Sequence, residues 1–315
     1  MHSMAILKLK PSCKAYLWGG TRLKTEFGKT FSGEKLAETW ELSCHLDGPS
    51  IVEGGEFAGR TLKEYLEKEG KKAVGEKCQK YQQFPLLIKF IDAKEDLSIQ
   101  VHPDDAYALK EEGQYGKTEM WYVVDCEEGS SLYYGFSKEI SKEEFAERIR
   151  EQTLLEVLNR VTVKKGDVFF IEPGTIHAIG KGILIAEIQQ SSNVTYRVYD
   201  YGRKDANGKE RDLHIDKALQ VTNRVPVMQK QSFAPHLVFC NYFTVDRVLL
   251  DEKNRKKVIK ADGSSFLSLL VLSGTGRVLS DTEQVMVKKG ESVFITADTG
   301  DCILEGSFEG LITTL

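Results

Sequence analysis

The sequence has no apolar run that approaches the roughly 20 residues needed to cross a bilayer as a helix. Its first residues, MHSMAILK, are too few and too polar for a secretory signal peptide. The six cysteines of the 315-residue chain are scattered, and none form a Cys-x-x-Cys pair. Because a chain of this size can stabilise its core without disulfides, we expect reduced thiols and a cytoplasmic protein that does not bind membranes.

Basic clusters are also absent. The formal net charge is −4, and no group of lysines and arginines is interleaved with aromatic residues. This composition argues against a nucleic-acid-binding surface, and an anionic small molecule would need a local group of positive side chains instead. The length and the ordinary apolar content of 41% indicate a globular protein with about two domains.

Two histidines, a glutamate and a glutamine form the most informative pattern in the chain. The segment LSIQVHPDD alternates apolar and polar residues, which predicts a half-buried strand with Gln100 and His102 on one face. Glu119 begins a second strand-like run, EMWYVV, and His177 follows a third, VFFI, after a short turn. Imidazole and carboxylate groups are ordinary zinc ligands, and a glutamine carbonyl oxygen could complete the set. From the residue types alone, hydrogen-bonded structural side chains fit the pattern as well.

Four motifs in a fixed order make the pattern more specific. They are LSIQVHPD (97–104), GKTEM (116–120), PGTIHA (173–178) and SNVTYR (192–197), preceded by YLWGG (16–20). Together they resemble the type I mannose-6-phosphate isomerase family, from about Trp18 to Arg203. Longer members of that family carry a large helical insertion before the last metal histidine. This chain has no room for one, so it resembles the short bacterial form.

The resemblance implies a zinc-dependent isomerase that interconverts mannose 6-phosphate and fructose 6-phosphate through an enediolate. It implies one Zn²⁺ per chain, held by Gln100, His102, Glu119 and His177. It also implies that Arg197 is an active-site residue. The family's NVVRAG reads NVTYRV here, so one extra residue precedes this arginine.

The groups for proton transfer and charge stabilisation come from the same segments. Arg197 lies in the aromatic-rich run VTYRVYD, and its permanent charge suits the stabilisation of a developing oxyanion. Lys117 would share a strand face with Glu119, whereas Glu187 lies among apolar neighbours on another expected strand. We rank Lys117 ahead of Glu187 as the proton-transfer base. Contacts to the phosphate of the substrate could come from Ser98, Lys89 or Arg203.

Two other functions fit these residues. Two histidines and a carboxylate also describe the Fe(II) site of a cupin oxygenase, and a non-catalytic sugar-binding or regulatory cupin could hold a structural metal. The presence of Arg197 and Lys117 beside the metal motifs favours the isomerase. The remaining histidines without metal-ligand spacing are interpreted as structural or surface residues: His45, His214 and His236.

An internal repeat predicts the architecture. VTVKKGDVFFI (161–171) resembles VMVKKGESVFI (285–295), and each indicates a strand, a turn with glycine at positive φ and a second strand, which we interpret as a hairpin. Both units resemble the cupin motif, a double-sheet jelly roll. We therefore expect a mainly β protein with two cupin-like jelly-roll barrels and a few helices inserted in the first. The second copy has no counterpart of His177, so we expect no metal there.

Local signals indicate the helices. The capping boxes TLKE, from Thr61, and SKEE, from Ser141, each predict a helix N-terminus. The apolar face of the second helix is expected to continue to Leu155. A shorter helix is expected after Pro103, with Asp104 or the residue after it near its N-terminus.

The domain boundary is predicted from the stretch 222–235, which lacks periodicity and contains two prolines. It separates a metal-binding catalytic domain, residues 1–229, from a second cupin-like domain, residues 230–315. We expect the second domain to pack against the first and to close one side of the site.

Overall fold

Antiparallel strands dominate the computed structural model, which describes residues 5–204, 208–228 and 232–315. In chain order the strands are β1 (Ile6–Lys10), β2 (Ser12–Lys14), β3 (Glu38–Leu42), β4 (Ile51–Glu53), β5 (Leu86–Ala93), β6 (Ile99–Val101), β7 (Glu119–Cys126), β8 (Ser131–Phe136), β9 (Leu158–Thr162), β10 (Val168–Ile171), β11 (His177–Ala178), β12 (Ile183–Gln190), β13 (Tyr196–Tyr199), β14 (Val238–Phe239), β15 (Thr244–Leu250), β16 (Lys256–Ala261), β17 (Leu267–Leu279), β18 (Gln284–Lys288), β19 (Ser292–Ile295) and β20 (Gly300–Thr314). This confirms the prediction of a mainly β protein.

The described helices all lie before residue 222. The α-helices are α1 (Arg22–Thr25), α2 (Leu62–Glu69), α3 (Asp105–Glu111), α4 (Lys142–Arg150) and α5 (Ile215–Val221), and 3₁₀ helices span Lys71–Ala73, Glu76–Lys80 and Leu154–Val157. The expectation that a few helices are inserted in the first barrel is therefore confirmed. None of the described helices, of which α4 with nine residues is the longest, has the length of a membrane-spanning helix.

The strands form three sheets that are stacked in layers. A six-stranded sheet has the order β10-β7-β12-β5-β3-β2, and a five-stranded sheet has the order β13-β6-β11-β8-β9. The two sheets share an apolar core that includes Trp121 and Ile185 from the first and Leu132 from the second. The other face of the five-stranded sheet packs against α4 and α5 through Phe145 and Ala218. Alternation along β6 thus directs Ile99 and Val101 towards the helices and the polar residues towards the six-stranded sheet.

The six-stranded sheet is buried on both faces. Its outer face packs on a nine-stranded sheet, and Phe90 and Met120 of the former share a core with Leu270 and Phe294 of the latter. The order of that sheet is β14-β15-β20-β17-β19-β1-β4, with β16 beside β20 and β18 beside β17. Burial on both faces explains why every residue of β5 and β12 is buried.

Two N-terminal strands complete the sheet of the C-terminal part. Strand β1 lies between β19 and β4, with Leu7 opposite Phe294 and Leu9 opposite Val52. The two parts of the chain therefore share one hydrogen-bonded sheet. The predicted boundary between residues 229 and 230 lies outside the described residues, as do residues 1–4, and the division at this point stays a prediction.

The repeated Lys-Lys-Gly-acid segments form turns that are not hairpins. Strands β9 and β10 pair with different sheets, while β18 and β19 pair with successive parts of β17. In each copy the glycine N–H donates to the carbonyl of a valine on another strand, which is Val123 in the first copy and Val271 in the second. The N–H of that valine donates in return to the carbonyl of the acidic residue that follows the glycine. Gly166 and Gly290 have φ values of 88° and 87°. The repeat and its positive φ are confirmed, whereas the hairpin interpretation is wrong because each turn pairs with a third strand.

The predicted helix N-termini are confirmed, and one predicted C-terminus is wrong. Thr61 caps α2 in a complete capping box, Asp104 caps α3, and the Ser141 hydroxyl accepts the N–H of Glu144 at the start of α4. Helix α4 ends at Arg150 and does not reach Leu155. The chain turns at Gln152, which has a φ of 58°, and then forms a separate 3₁₀ helix.

Candidate metal centre and active site

Three candidate residues lie side by side across the five-stranded sheet. His177 on β11 is directly opposite Gln100 on β6, and Gln100 is directly opposite Arg197 on β13. The Gln100 amide nitrogen lies 3.4 Å from His177 Nε2. Cross-strand neighbours in register point to the same face. The sheet therefore presents a histidine, an amide and a guanidinium in one row towards the six-stranded sheet.

Glu119 approaches this row from the opposite sheet. One carboxylate oxygen lies 3.3 Å from His177 Nε2, and the other lies 3.7 Å from His102 Nε2. One ligand atom from each of these three residues lies within 4.8 Å of the other two, and all three side chains are buried. In the part of the chain that the structure describes, this is the only group of histidine, cysteine and acidic side chains close enough to hold one metal ion.

Backbone carbonyls orient both imidazoles. His102 Nδ1 lies 2.8 Å from the carbonyl oxygen of Val194, and His177 Nδ1 lies 2.9 Å from that of Thr175. Because a carbonyl can only accept, Nδ1 carries the proton in each ring and the Nε2 lone pair faces Glu119. Metal-binding histidines are commonly held this way by the ring nitrogen that does not bind the metal.

The charge state of the group suits a cation. Burial, reinforced by the charge of Lys117, holds the pKa of His102 well below its ordinary value, and burial lowers the pKa of His177 to about 4. Burial and the neighbouring Glu187 raise the pKa of Glu119 to about 7. Neither oxygen of the buried Glu119 carboxylate accepts a hydrogen bond of good geometry. Two neutral imidazoles and a buried carboxylate fit the donor set of a catalytic zinc site.

Lys117 is buried beside these three residues. Its Nζ lies 2.7 Å from the Glu119 carboxylate, 3.1 Å from His102 Nε2 and 4.0 Å from Glu187. From the sequence, Lys117 was expected to share a strand face with Glu119 and was ranked first as the proton-transfer base, a role that stays a prediction. The structure places Lys117 just before β7, with its amino group among the candidate ligands, where it could exchange a proton with a bound molecule.

Glu187 lies in a second buried row, across the six-stranded sheet. It is opposite Trp121 on one side and Lys89 on the other. Trp121 Nε1 donates to Glu187 at 2.9 Å, and Lys89 Nζ lies 3.1 Å from the other oxygen. Burial raises the pKa of this carboxyl, but Lys117 and Lys89 outweigh it and lower the pKa to about 2. Glu187 is therefore a persistent negative charge and a weak base.

Arg197 connects the row on the five-stranded sheet to a surface cavity. Its Nε donates to the Ser98 hydroxyl at 3.2 Å, and one terminal nitrogen donates to the carbonyl of Asp212 at 3.0 Å. Within the described residues the guanidinium forms no ion pair. It lines a cavity of about 380 Å³ whose other lining residues are two basic and two acidic side chains and a histidine: Lys209, Arg211, Glu210, Asp212 and His214. An arginine without a carboxylate partner at such a place can bind an anion.

The three phosphate candidates have different surroundings. Lys89 is buried between Glu187 and Glu38. Arg203 is paired with Asp200, which also accepts from Arg211. Ser98 is buried next to Arg197 and is the candidate that has no acidic partner.

The other histidines have identifiable structural contacts. His45 packs edge-on against Trp40, and His236 pairs with Asp246. His214 precedes α5, and its Nδ1 accepts the backbone N–H of Arg197. His214 was not expected near the site, since no spacing in the sequence links it to β13.

Trp121 is a site residue that sequence reasoning missed. Its ring packs edge-on against His177, with centroids 5.3 Å apart, while its N–H holds Glu187. Period-two alternation from Glu119 would have placed Trp121 on the same face of β7, so the signal was present in the sequence.

Comparison with known proteins gives the family. The family model of the phosphomannose isomerase type I catalytic domain matches residues 6–130, and that of the mannose-6-phosphate isomerase cupin domain matches residues 232–314. Mannose-6-phosphate isomerase ManA of Bacillus subtilis is 39% identical over 320 aligned residues, which cover 98% of this chain and 98% of the relative. The chain belongs to the type I phosphomannose isomerase family.

Solved structures agree with membership of the type I phosphomannose isomerases. A crystal structure of the mannose 6-phosphate isomerase from Bacillus subtilis has a TM-score of 0.90 at 34% identity, covering 99% of this chain and 100% of the other. A mannose 6-phosphate isomerase bound with zinc and yttrium shares the fold, with a TM-score of 0.76 at 19% identity and coverage of 98% and 99%. The predicted family, the cupin fold and the prediction that the chain is an enzyme of this family are confirmed.

Proposed function

We propose that the chain interconverts mannose 6-phosphate and fructose 6-phosphate at a single zinc site, through an enediolate. The observation that carries the proposal is the buried group of His102, Glu119 and His177, which Lys117 contacts. Arg197 lies opposite Gln100 on the neighbouring strand. The relatives bear the name of this activity over nearly the whole length of the chain. The substrate is a small sugar phosphate, and no nucleic acid or membrane takes part.

His102, Glu119 and His177 would hold the zinc ion, with the Gln100 amide as a fourth protein group. When bound, Zn²⁺ acts as a Lewis acid that polarises a carbonyl and stabilises negative charge on its oxygen. The protein's own contribution is to keep both imidazoles neutral and aligned through the carbonyls of Val194 and Thr175. The crystal structure of a mannose 6-phosphate isomerase bound with zinc and yttrium, which has the same fold, supports the choice of zinc.

Proton transfer between the two adjacent carbons of the sugar needs one group that removes and returns a proton. We assign this role to Lys117, whose Nζ contacts the candidate ligands directly. Glu187 lies 4.0 Å from Lys117 and would instead stabilise its charged form. Proton transfer by a well-placed side chain contributes about 10²–10⁴ in rate.

Arg197 and Ser98 would meet the negative charge of the substrate. The guanidinium has a planar set of donors that matches phosphate or a developing oxyanion, and the adjacent hydroxyl can donate to the same group. Arg197 lines the surface cavity, and its Nε donates to the Ser98 hydroxyl, so an anion in the cavity could contact both side chains.

A coupled assay that detects fructose 6-phosphate tests the proposed function. We expect turnover of mannose 6-phosphate, its loss after chelation and its recovery with Zn²⁺, whereas unphosphorylated mannose should be a poor substrate. Substrate-dependent oxygen consumption restored by Fe²⁺ would favour the oxygenase. Binding of mannose 6-phosphate without turnover, in protein replete with metal, would favour a binding protein.

Arg197→Ala distinguishes the two possible roles of the guanidinium. If it stabilises the oxyanion, kcat should fall about 10²–10³-fold, the range for one pre-organised donor. If it only binds phosphate, KM should rise while kcat stays nearly unchanged. Lys at this position should rescue the activity in part, because a point charge does not reproduce the planar donor set. Metal content should stay normal in each variant.

Arg277→Ala is the matched control, since this arginine is on β17 and pairs with Glu305 far from the cavity. It should retain the kinetics of the wild type. Unchanged kcat and KM in Arg197→Ala would show that Arg197 is a structural residue.

A further inference from the structure

A tyrosine of the C-terminal part reaches the segment that carries Lys117. Tyr242 lies in the turn between β14 and β15, and its hydroxyl donates to Asp105 Oδ2 at 2.9 Å. Burial and the adjacent carboxylate raise the pKa of this phenol, so it stays protonated and can donate throughout the neutral range. Asp105 is the first residue of α3, and thus belongs to the metal-binding part of the chain.

The other oxygen of Asp105 holds the backbone beside Lys117. Oδ1 accepts the N–H of Gly116 at 2.8 Å and the side-chain amide of Gln190 at 2.9 Å. The amide oxygen of Gln190 in turn accepts the N–H of Thr118 at 2.9 Å. Asp105 thereby fixes the backbone N–H groups of the two residues that flank Lys117, that of Gly116 directly and that of Thr118 through Gln190.

The backbone of Gly116 lies directly against the start of α3. A Cβ atom on Gly116 would lie 2.4 Å from the carbonyl carbon of Asp104, so only glycine fits. The N–H of Lys117 itself donates to the carbonyl of Pro103 at 3.0 Å. The N–H groups of Gly116 and Lys117 are thus anchored at the start of α3, and that of Thr118 is anchored through Gln190 on β12. Tyr242 of the C-terminal part donates to the Asp105 carboxylate, which accepts from both Gly116 and Gln190.

We propose that Tyr242 is a positioning residue, through which the C-terminal domain holds Asp105 and thereby sets the location of the Lys117 amino group. The proposal rests on the proposed role of Lys117 in proton transfer. Displacement of a reacting group by a fraction of an ångström can change a rate strongly, because catalysis depends on the geometry of the reacting atoms. Tyr242 touches no substrate and acts only through the backbone of residues 116–118.

Tyr242→Phe removes the hydroxyl and keeps the ring. We expect kcat to fall about five- to tenfold, the equivalent of one hydrogen bond of ordinary net strength, with KM and zinc content nearly unchanged. A structural defect alone would lower the fraction of active protein or the metal content, and active-site titration with zinc analysis separates these effects from a change in kcat.

Tyr122→Phe is the matched control. Its hydroxyl also joins the two parts of the chain, by donating to Glu309 at 2.6 Å, but its side chain lies on the face of β7 away from the metal group. This variant should keep the wild-type kcat. An equal fall in kcat in Tyr242→Phe and Tyr122→Phe would mean that any weakened contact between the two parts of the chain lowers kcat. That outcome would overturn the proposal.

A double variant tests whether Tyr242 acts through Lys117. In the Lys117→Ala background, which lacks the amino group, Tyr242→Phe should cause no further fall in kcat. An undiminished five- to tenfold fall in that background, or wild-type kcat in Tyr242→Phe alone, would refute the positioning role while the proposed function stands. Full activity in Lys117→Ala would contradict the role assigned to Lys117 and with it this inference, whereas no turnover of mannose 6-phosphate by the wild type would contradict the proposed function itself.

Discussion

Replacement of His177 by alanine is expected to release the metal and to reduce turnover to the limit of detection. His177 Nε2 lies 3.3 Å from Glu119 in a buried group, so the variant lacks one of the three candidate ligands of this group. Loss of a group that merely orients a ligand costs about 10–100-fold in metal affinity, and loss of the ligand itself should exceed this. Metal analysis of the purified variant, together with the coupled assay, measures both effects.

A second variant separates loss of the ligand from loss of the fold. His177→Gln fills more of the space and retains a polar group, so it should remain folded while its zinc occupancy and kcat fall together. His236→Ala is the control, because that histidine pairs with Asp246 on β15 and contacts none of the candidate ligands. Full zinc occupancy in both His177 variants would refute the assignment of this residue as a ligand.

The candidate ligands could be predicted because each signal was local. Alternation around Gln100 predicted the face of β6, and the apolar run after Glu119 predicted β7. What the sequence could not give is that these faces meet, since β6 and β7 belong to different sheets. The expectation that the two faces meet came from the four motifs in their fixed order, because these motifs resemble those of a family with a known fold.

The hairpin could not be predicted because non-local pairing decided it, and the helix end could not be predicted because the apolar pattern does not show where the backbone leaves the helix. The turn at Gly166 has the residues of a hairpin, yet its N–H bonds to Val123, more than forty residues earlier in the chain. The apolar pattern of α4 continues past Arg150, but Gln152 adopts a left-handed conformation and the chain starts a new turn. Periodicity records which side chains are buried and does not record which strand covers them.

The contacts between the two parts of the chain were the least accessible from the sequence. Strand β1 joins a sheet made mostly of residues after 237, and Tyr242 reaches Asp105 across 137 positions. The residues next to Tyr242 or Asp105 in the sequence form no motif or pattern that predicts this contact. A catalytic segment defined by local motifs can thus depend on distant residues that no motif includes.

Replacement of Lys117 is expected to remove proton transfer, with a fall in kcat of about 10²–10⁴-fold. Lys117→Arg should be nearly as inactive as Lys117→Ala, because guanidinium keeps the charge but does not release its proton. Exchange of deuterium from D₂O into the sugar should be lost in parallel with turnover. A small primary amine added to Lys117→Ala should restore part of the activity, since the buried space left by the side chain lies beside Glu119.

Glu187→Gln tests the competing assignment. Lys117 and Lys89 lower the pKa of Glu187 to about 2, so its carboxylate is a poor proton acceptor at neutral pH. We therefore expect this variant to lose less than about tenfold in kcat and to keep solvent exchange. If Glu187→Gln instead abolishes exchange while Lys117→Arg retains it, the base is Glu187, and Lys117 serves as a fixed charge next to Glu119.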